Sequence, residues 1–304
     1  MRLLFAGTPE AAVPALDALA TGPHEIVRVI TRPPAPQGRR RVLTPSPVDA
    51  RAAELGLPVL HAARLDEAAS ATLLADGVDL GVVVAYGGLI REPLLSGPRL
   101  GWINLHFSLL PRWRGAAPVQ HALIAGDTTT GVAVFRLEAG LDTGPLLAVE
   151  EVPVGALETA GHLLERLAAI GATLLARTVD ALAAGTARET PQVGEPTLAG
   201  KPTLEDGRLD LAAPSTEVLN RFRGVTPEPG AFTEVDGARL KVLEAAPARD
   251  AAPLAPGTVA LDGRRVLVGT GDAPVELITV QPAGRTPMPA AAWLRGARPP
   301  VRLG

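Results

Sequence analysis

The sequence predicts an α/β protein: a doubly wound, mostly parallel open sheet, followed by a small β-barrel. Three observations carry this reading. Short apolar runs such as Leu80-Gly81-Val82-Val83-Val84 alternate with helical patterns through the first part of the chain, which is the grammar of β/α units packed on both faces of a sheet. A stretch rich in Pro, Gly, Glu and Thr, residues 190–207, then interrupts. Beyond it the text turns to short runs separated by Asp-Gly pairs, which read as strands joined by tight turns.

The elements follow in order. Residues 2–6 form a short buried strand, and Gly7-Thr8-Pro9 turns the chain into an apolar helix through Ala20. Residues 25–31 are a second strand and 48–55 a helix. Residues 79–86 are a central strand, being apolar almost without a break. Residues 102–106 form another strand, 117–125 a helix, and 159–184 a long helix with apolar residues at helical spacing. After the interruption, Leu240-Lys241-Val242-Leu243 and residues 257–261, 265–268 and 275–280 read as strands. Asp236-Gly237 and Asp262-Gly263 supply turns. Gly269-Thr270-Gly271 lies between two apolar runs and is a hairpin connection rather than a phosphate loop. The domains expected are 1–189, a linker 190–206, and 207–304.

Composition narrows the function classes. At 304 residues and 47% hydrophobic the chain can bury a sizeable core. It has no cysteine, so disulfides, thiol nucleophiles and thiolate metal sites are excluded. No window of 18 uncharged apolar residues occurs, so a cytoplasmic protein without a membrane span is expected. The net charge of −3 gives no global pull toward nucleic acid. Gly7 is trailed by Thr8 and Pro9 instead of a G-x-G-x-x-G pattern, which disfavours a nicotinamide dinucleotide.

The chemistry concentrates in Asn104-Leu105-His106-Phe107-Ser108-Leu109-Leu110-Pro111 and, 36 residues after the histidine, Asp142. Asn104 and His106 lie two apart on a strand, so both side chains share a face. An amide, an imidazole and a carboxylate gathered at one spot can stabilise a developing oxyanion and move a proton. Asp142 in its Gly-rich setting also suits an Asx turn. Ser108 has no Gly-x-Ser-x-Gly elbow around it and reads as a turn residue rather than a nucleophile. Tyr86-Gly87 ends a strand where ligands of such sheets bind, and suits either a pocket wall or the core. His24, His61, His121 and His162 show no nearby partners in sequence and read as surface residues. Arg32, Arg39, Arg40 and Arg41 share a proline-rich loop that reads, taken alone, as a solvated charge run.

The block Asn104-x-His106-x-Ser108-Leu109-Leu110-Pro111, its extension Arg112-Trp113-Arg114-Gly115-Ala116-Ala117-Pro118, and the later Asp142 resemble the folate-dependent formyltransferase family. The likeness runs from Phe5-Ala6-Gly7-Thr8-Pro9-Glu10 to Gln281-Pro282-Ala283-Gly284 and is closest to the members that act on methionyl-tRNA. It implies a Rossmann-like formyltransferase domain and an OB-like barrel that contacts tRNA. It implies a monomer that uses 10-formyltetrahydrofolate and no metal, and initiator methionyl-tRNA as acceptor. Asn104, His106 and Asp142 would then be catalytic, with Asp142 orienting His106. Ser108, Leu109, Leu110 and Pro111, with Tyr86 and Gly87, would line the folate site. Arg39, Arg40 and Arg41 would meet the tRNA acceptor stem. Phe107 departs from the pattern, since members commonly carry a small residue there.

Three other functions stay open at this point. A nucleotide-sugar formyltransferase and a formyltetrahydrofolate hydrolase share the catalytic block. A folate-responsive RNA-binding protein without turnover would not need the full Asn, His and Asp set.

Overall fold

Seven strands form the sheet of the amino-terminal unit: β1 (Arg2–Gly7), β2 (Glu25–Thr31), β3 (Val59–His61), β4 (Leu80–Val84), β5 (Trp102–His106), β6 (Thr129–Arg136) and β7 (Leu146–Pro153). They are seen in a computed structural model that describes residues 1–38, 41–297 and 300–304. The strand order is 7-6-5-4-1-2-3. β3, β2, β1, β4 and β5 run parallel. β6 and β7 are antiparallel to their neighbours, so the expected open α/β sheet is present but mixed.

Those two strands were not anticipated. Thr129–Arg136 is buried at almost every position, but its apolar run is only residues 132–135, behind Thr129-Thr130-Gly131, which reads as loop. Leu146–Pro153 is a half-exposed edge whose outward Glu150 and Glu151 discourage further pairing.

Helices flank the parallel strands: α1 (Val13–Ala20), α2 (Pro47–Glu54) and α3 (Glu67–Ala75). α2 begins at Ser46, whose hydroxyl accepts from Asp49 N, and Pro47 occupies the first turn, where its missing N–H costs nothing. α3 is capped in the same way by Asp66, which accepts from Ala69 N. Gly81 in β4 is required by its neighbour strand. A Cβ there would lie 2.1 Å from Trp102 Cδ2, and the buried indole is fixed by donating to Leu94 O at 2.8 Å.

Strand order reverses between β1 and β4, and the register sets Gly7 against Val84 and Val83 against Asn104. The carboxyl ends of β1, β4 and β5 therefore lie together, at the edge where sheets of this type bind ligands.

By internal contacts the chain divides into Met1–Pro118, Thr129–Pro153 and Leu164–Ala199 as one unit, with Val119–Thr128, Val154–Leu163 and Gly200–Gly304 as the other. Residues 190–199, expected within a linker, hydrogen-bond into the first unit. Helix α4 is Pro118–Ile124, and the long helix α5 is Ala160–Ala183.

The second unit is built on β8 (Phe232–Val235), β9 (Ala238–Pro247), β10 (Val259–Asp262), β11 (Arg265–Val268) and β12 (Val275–Pro282). All its ladders are antiparallel, in the order 8-9-12-11-10. Asp236 and Gly237 both have positive φ, 49° and 73°, as a type I′ hairpin turn demands. Helices α6 (Ser215–Gly224) and α7 (Ala290–Gly296) supply Val218, Phe222 and Trp293 to the core of this sheet. Among the described residues no ladder joins β8 to β10, so the sheet is not a closed barrel.

Candidate active site

Asn104 and His106 project from one face of β5, opposite Phe135 and Ala133 of β6. Asn104 Oδ1 is buried with no hydrogen-bond partner among the described residues. Such a group costs stability unless a water or ligand supplies the partner. His106 is buried, and its ring stands edge-on to Phe135, with centroids 6.2 Å apart.

The ring has a defined tautomer. His106 Nε2 lies 2.9 Å from the carbonyl of Trp113, and a carbonyl only accepts, so Nε2 carries the proton. In the neutral ring Nδ1 is then a bare lone pair on the side of Asp142, whose Oδ2 is 3.9 Å away. That gap is too long for a hydrogen bond. The Trp113 carbonyl and the edge-on Phe135 ring contact the imidazole directly, and Asp142 stands at ion-pair distance from it without a hydrogen bond. Burial holds His106 below the ordinary imidazole range, against the opposing pull of Asp142 and of the Trp113 carbonyl. Burial thus favours the neutral ring, whose Nδ1 can accept a proton.

Asp142 is itself buried, on a backbone with φ of 50°. Its Oδ2 accepts from Gly115 N at 2.7 Å. Gln192 Nε2 donates to the carbonyls of Asp142 and Gly144, at 2.8 and 2.9 Å. Reading the sequence did not single out Gln192, Gly115 or Trp113 as site residues. Gln192 stands 50 positions from Asp142, and nothing in its neighbourhood signals the contact.

The remaining expected residues separate. Ser108 is fully buried and donates to Arg112 O at 2.7 Å, as a turn residue does. Leu109 packs over Gly131, while Leu110 packs with Ala133 and Phe135. Pro111 O accepts from Thr197 N. Phe107 is buried. Tyr86 does not wall a pocket: its ring lies in the core with Leu4, Ala6 and Ile30, and its hydroxyl donates to Ala62 O at 2.6 Å. Only the adjoining Gly87 lies at the strand exit, where its carbonyl accepts from Arg32 Nη2 at 2.9 Å.

Arg41 is exposed beside a short hairpin formed by Ala35–Gln37 and Val42–Thr44, and Arg39 and Arg40 lie outside the described residues. Three of the histidines expected to lack partners have them. His24 pairs with Asp180, His61 with Asp49, and His121 with Gly200 O.

The family model described as "Formyl transferase" matches residues 1–179, and that described as "Formyl transferase, C-terminal domain" matches residues 201–298. The chain belongs to the formyl transferase family. It is 64% identical over 297 residues to a methionyl-tRNA formyltransferase of Clavibacter sepedonicus, covering 97% of each chain. Against the protein of the same name from Clavibacter michiganensis subsp. michiganensis it is 63% identical over 296 residues, again 97% of each. Among solved structures it shares its fold with WlaRD, a sugar 3N-formyl transferase determined in the presence of dTDP and 5-N-formyl-THF. That match has a TM-score of 0.67 at 14% identity, over 94% of this chain and 99% of that one. Among the described residues, no helix of this formyl transferase is long and apolar enough to cross a membrane.

Proposed function

We propose that this formyl transferase moves the formyl group of 10-formyltetrahydrofolate to the α-amino group of methionine carried by initiator tRNA. The observation that carries the reading is the approach of the buried His106 ring to Asp142, 3.9 Å apart, beside Asn104, whose buried Oδ1 has no partner among the described residues. The near-full-length likeness to methionyl-tRNA formyltransferases supports the choice of acceptor.

The residues present suit the folate co-substrate, since Asn104 Oδ1, buried and without a partner among the described residues, offers a hydrogen-bond acceptor on the same strand face as His106. Ser108 to Pro111 and the Gly87 turn are our assignment for its binding edge. When bound it supplies the formyl carbon and a weakly basic aryl nitrogen as leaving group. Asn104 donates its amide N–H to the carbonyl oxygen as charge builds there. His106 Nδ1 takes the proton from the attacking amine, and the Asp142 carboxylate stabilises the imidazolium that results. The imidazolium then returns this proton to the leaving nitrogen, so the site ends as it began.

We assign residues 1–189 to catalysis, 190–206 to the connection, and 207–304 to a tRNA-contacting, OB-like domain. The OB-like reading is supported by the carboxy-terminal residues. Leu303 N donates to Gly257 O and Gly304 N to Glu234 O, which links the two ends of the antiparallel sheet. Arg39, Arg40 and Arg41 are assigned to acceptor-stem phosphates, for which arginine is the better fork.

Incubation with 10-formyltetrahydrofolate and charged initiator or elongator methionyl-tRNA tests the reading. Formylated initiator product is expected. Formylation of a nucleotide-linked amino sugar instead, or release of formate alone, would assign the chain to one of the rival activities.

A further inference from the structure

The two non-glycine residues that frame the site both sit in the left-handed backbone region: Trp113 at φ 62° and Asp142 at φ 50°. Side chains of this kind rarely adopt it, and such strain persists only where surrounding contacts over-determine it. Both positions matter to the proposed chemistry. The carbonyl of Trp113 sets the His106 tautomer, and the backbone of Asp142 aims its carboxylate.

One short segment holds both. Thr197 Oγ1 accepts from Trp113 N at 2.8 Å, and Thr197 O accepts from Arg114 N at 2.8 Å. Gln192 Nε2 donates to the carbonyls of Asp142 and Gly144, while its Oε1 accepts from Arg114 Nε and Nη2 at 3.2 and 2.6 Å. The amide orientation is unambiguous, because arginine only donates and carbonyls only accept. Leu198 and Ala199 pair with Arg114 and Gly115, and Gly115 N in turn donates to Asp142 Oδ2. The segment therefore ties the histidine side of the site to the carboxylate side through Arg114.

We propose that Gln192 and Thr197 are positioning residues for the formyl transfer. Gln192 fixes the backbone that aims Asp142, and Thr197 fixes the Trp113 turn whose carbonyl orients His106. This rests on the reading given under Proposed function. The segment thus acts as a strap across the site as well as a connection to the second unit.

The test compares steady-state kinetics of the full chain with Gln192→Glu, Thr197→Val, Thr197→Ser and Val193→Ala. Gln192→Glu keeps the acceptor for Arg114 and thereby the local packing, but replaces the two donated N–H bonds with an oxygen facing two carbonyls. Thr197→Val keeps shape and removes the acceptor of Trp113 N. Each is expected to lower kcat by roughly 10- to 100-fold, the scale of a small misplacement of reacting groups. KM for both substrates should stay within about 2-fold, the pattern left when an interaction acts on the transition state. Thr197→Ser restores the hydroxyl and should recover most of the rate. Val193, 86% exposed in the same segment, should tolerate alanine without loss.

The acid limb of kcat should also move in Thr197→Val, since the His106 hydrogen bond is disturbed, and a purely structural defect would leave it in place. Full kcat in Gln192→Glu and Thr197→Val overturns the proposal. So does an equal loss in Val193→Ala, or a loss confined to the melting temperature. A parent without formyl transfer would sink the functional reading instead, and the two failures are therefore distinguishable.

Discussion

Asp142→Asn isolates the charge from the fold. The amide oxygen can still accept from Gly115 N, now at 2.7 Å, and the backbone carbonyl keeps its bond from Gln192. What disappears is a negative charge 3.9 Å from His106 Nδ1. At an effective dielectric constant of about 20, two unit charges at that range attract by about 4 kcal/mol. That stabilisation exists only while the imidazole holds the transferred proton, so its loss falls on the barrier. At about 1.4 kcal/mol per decade the rate should drop by roughly 10³-fold. The assay is single-turnover formyl transfer from 10-formyltetrahydrofolate to methionyl-tRNA, with thermal unfolding as a control for structure. A rate within about 10-fold of the parent, at unchanged melting temperature, would refute the role given to the carboxylate.

Other consequences are as direct. His106 is held below its unfolded value of about 6.5, so below that pH the unfolded chain binds a proton that the folded chain resists. Its stabilising contribution is full above about pH 6.5 and is lost as pH falls through the folded-state value. Urea midpoints of the parent should therefore fall faster than those of His106→Ala between about pH 6.5 and 5, and parallel curves would contradict this. Gly115 has φ of 123°, and a Cβ there would lie 2.7 Å from Ala199 O. Gly115→Ala should lower both melting temperature and kcat, and a variant that loses neither would show that the Gly115–Asp142 contact is dispensable. Replacing Arg39, Arg40 and Arg41 by alanine should flatten the salt dependence of tRNA binding by roughly 0.7 to 0.9 in log–log slope per true phosphate contact. Folate binding should stay intact, and unchanged tRNA affinity and slope would return the loop to a plain charge run.

What the sequence reveals divides by the range of the interaction. Trp102–His106, Arg265–Val268 and the helix Ala160–Ala183 are legible because their apolar periodicity is local. Thr129–Arg136 is not, since Thr129-Thr130-Gly131 at its start reads as loop and leaves only the short apolar run of residues 132–135. Asn104 and His106 could be placed on one face from the spacing of two alone, whereas Asp142 joined them only through the family resemblance. Tyr86 shows the limit of such placement. The strand end was found, but the direction of its side chain depends on the packing of Leu4, Ala6 and Ile30 beneath it. Gln192 and Thr197 were invisible for the same reason. Their partners lie 50 and 84 residues away, and a stretch of turn-forming residues looks alike whether it hangs free or folds back.

The proposed mechanism makes His106 and Asp142 one proton-handling unit on an amine acceptor. The measurement that tests it is the single-turnover rate on initiator methionyl-tRNA for the parent, His106→Ala, Asp142→Asn and the double variant. Residues that act as a unit are far from additive, so the double variant should be about as slow as the worse single one. Rates whose defects simply multiply would show two independent residues and contradict the account.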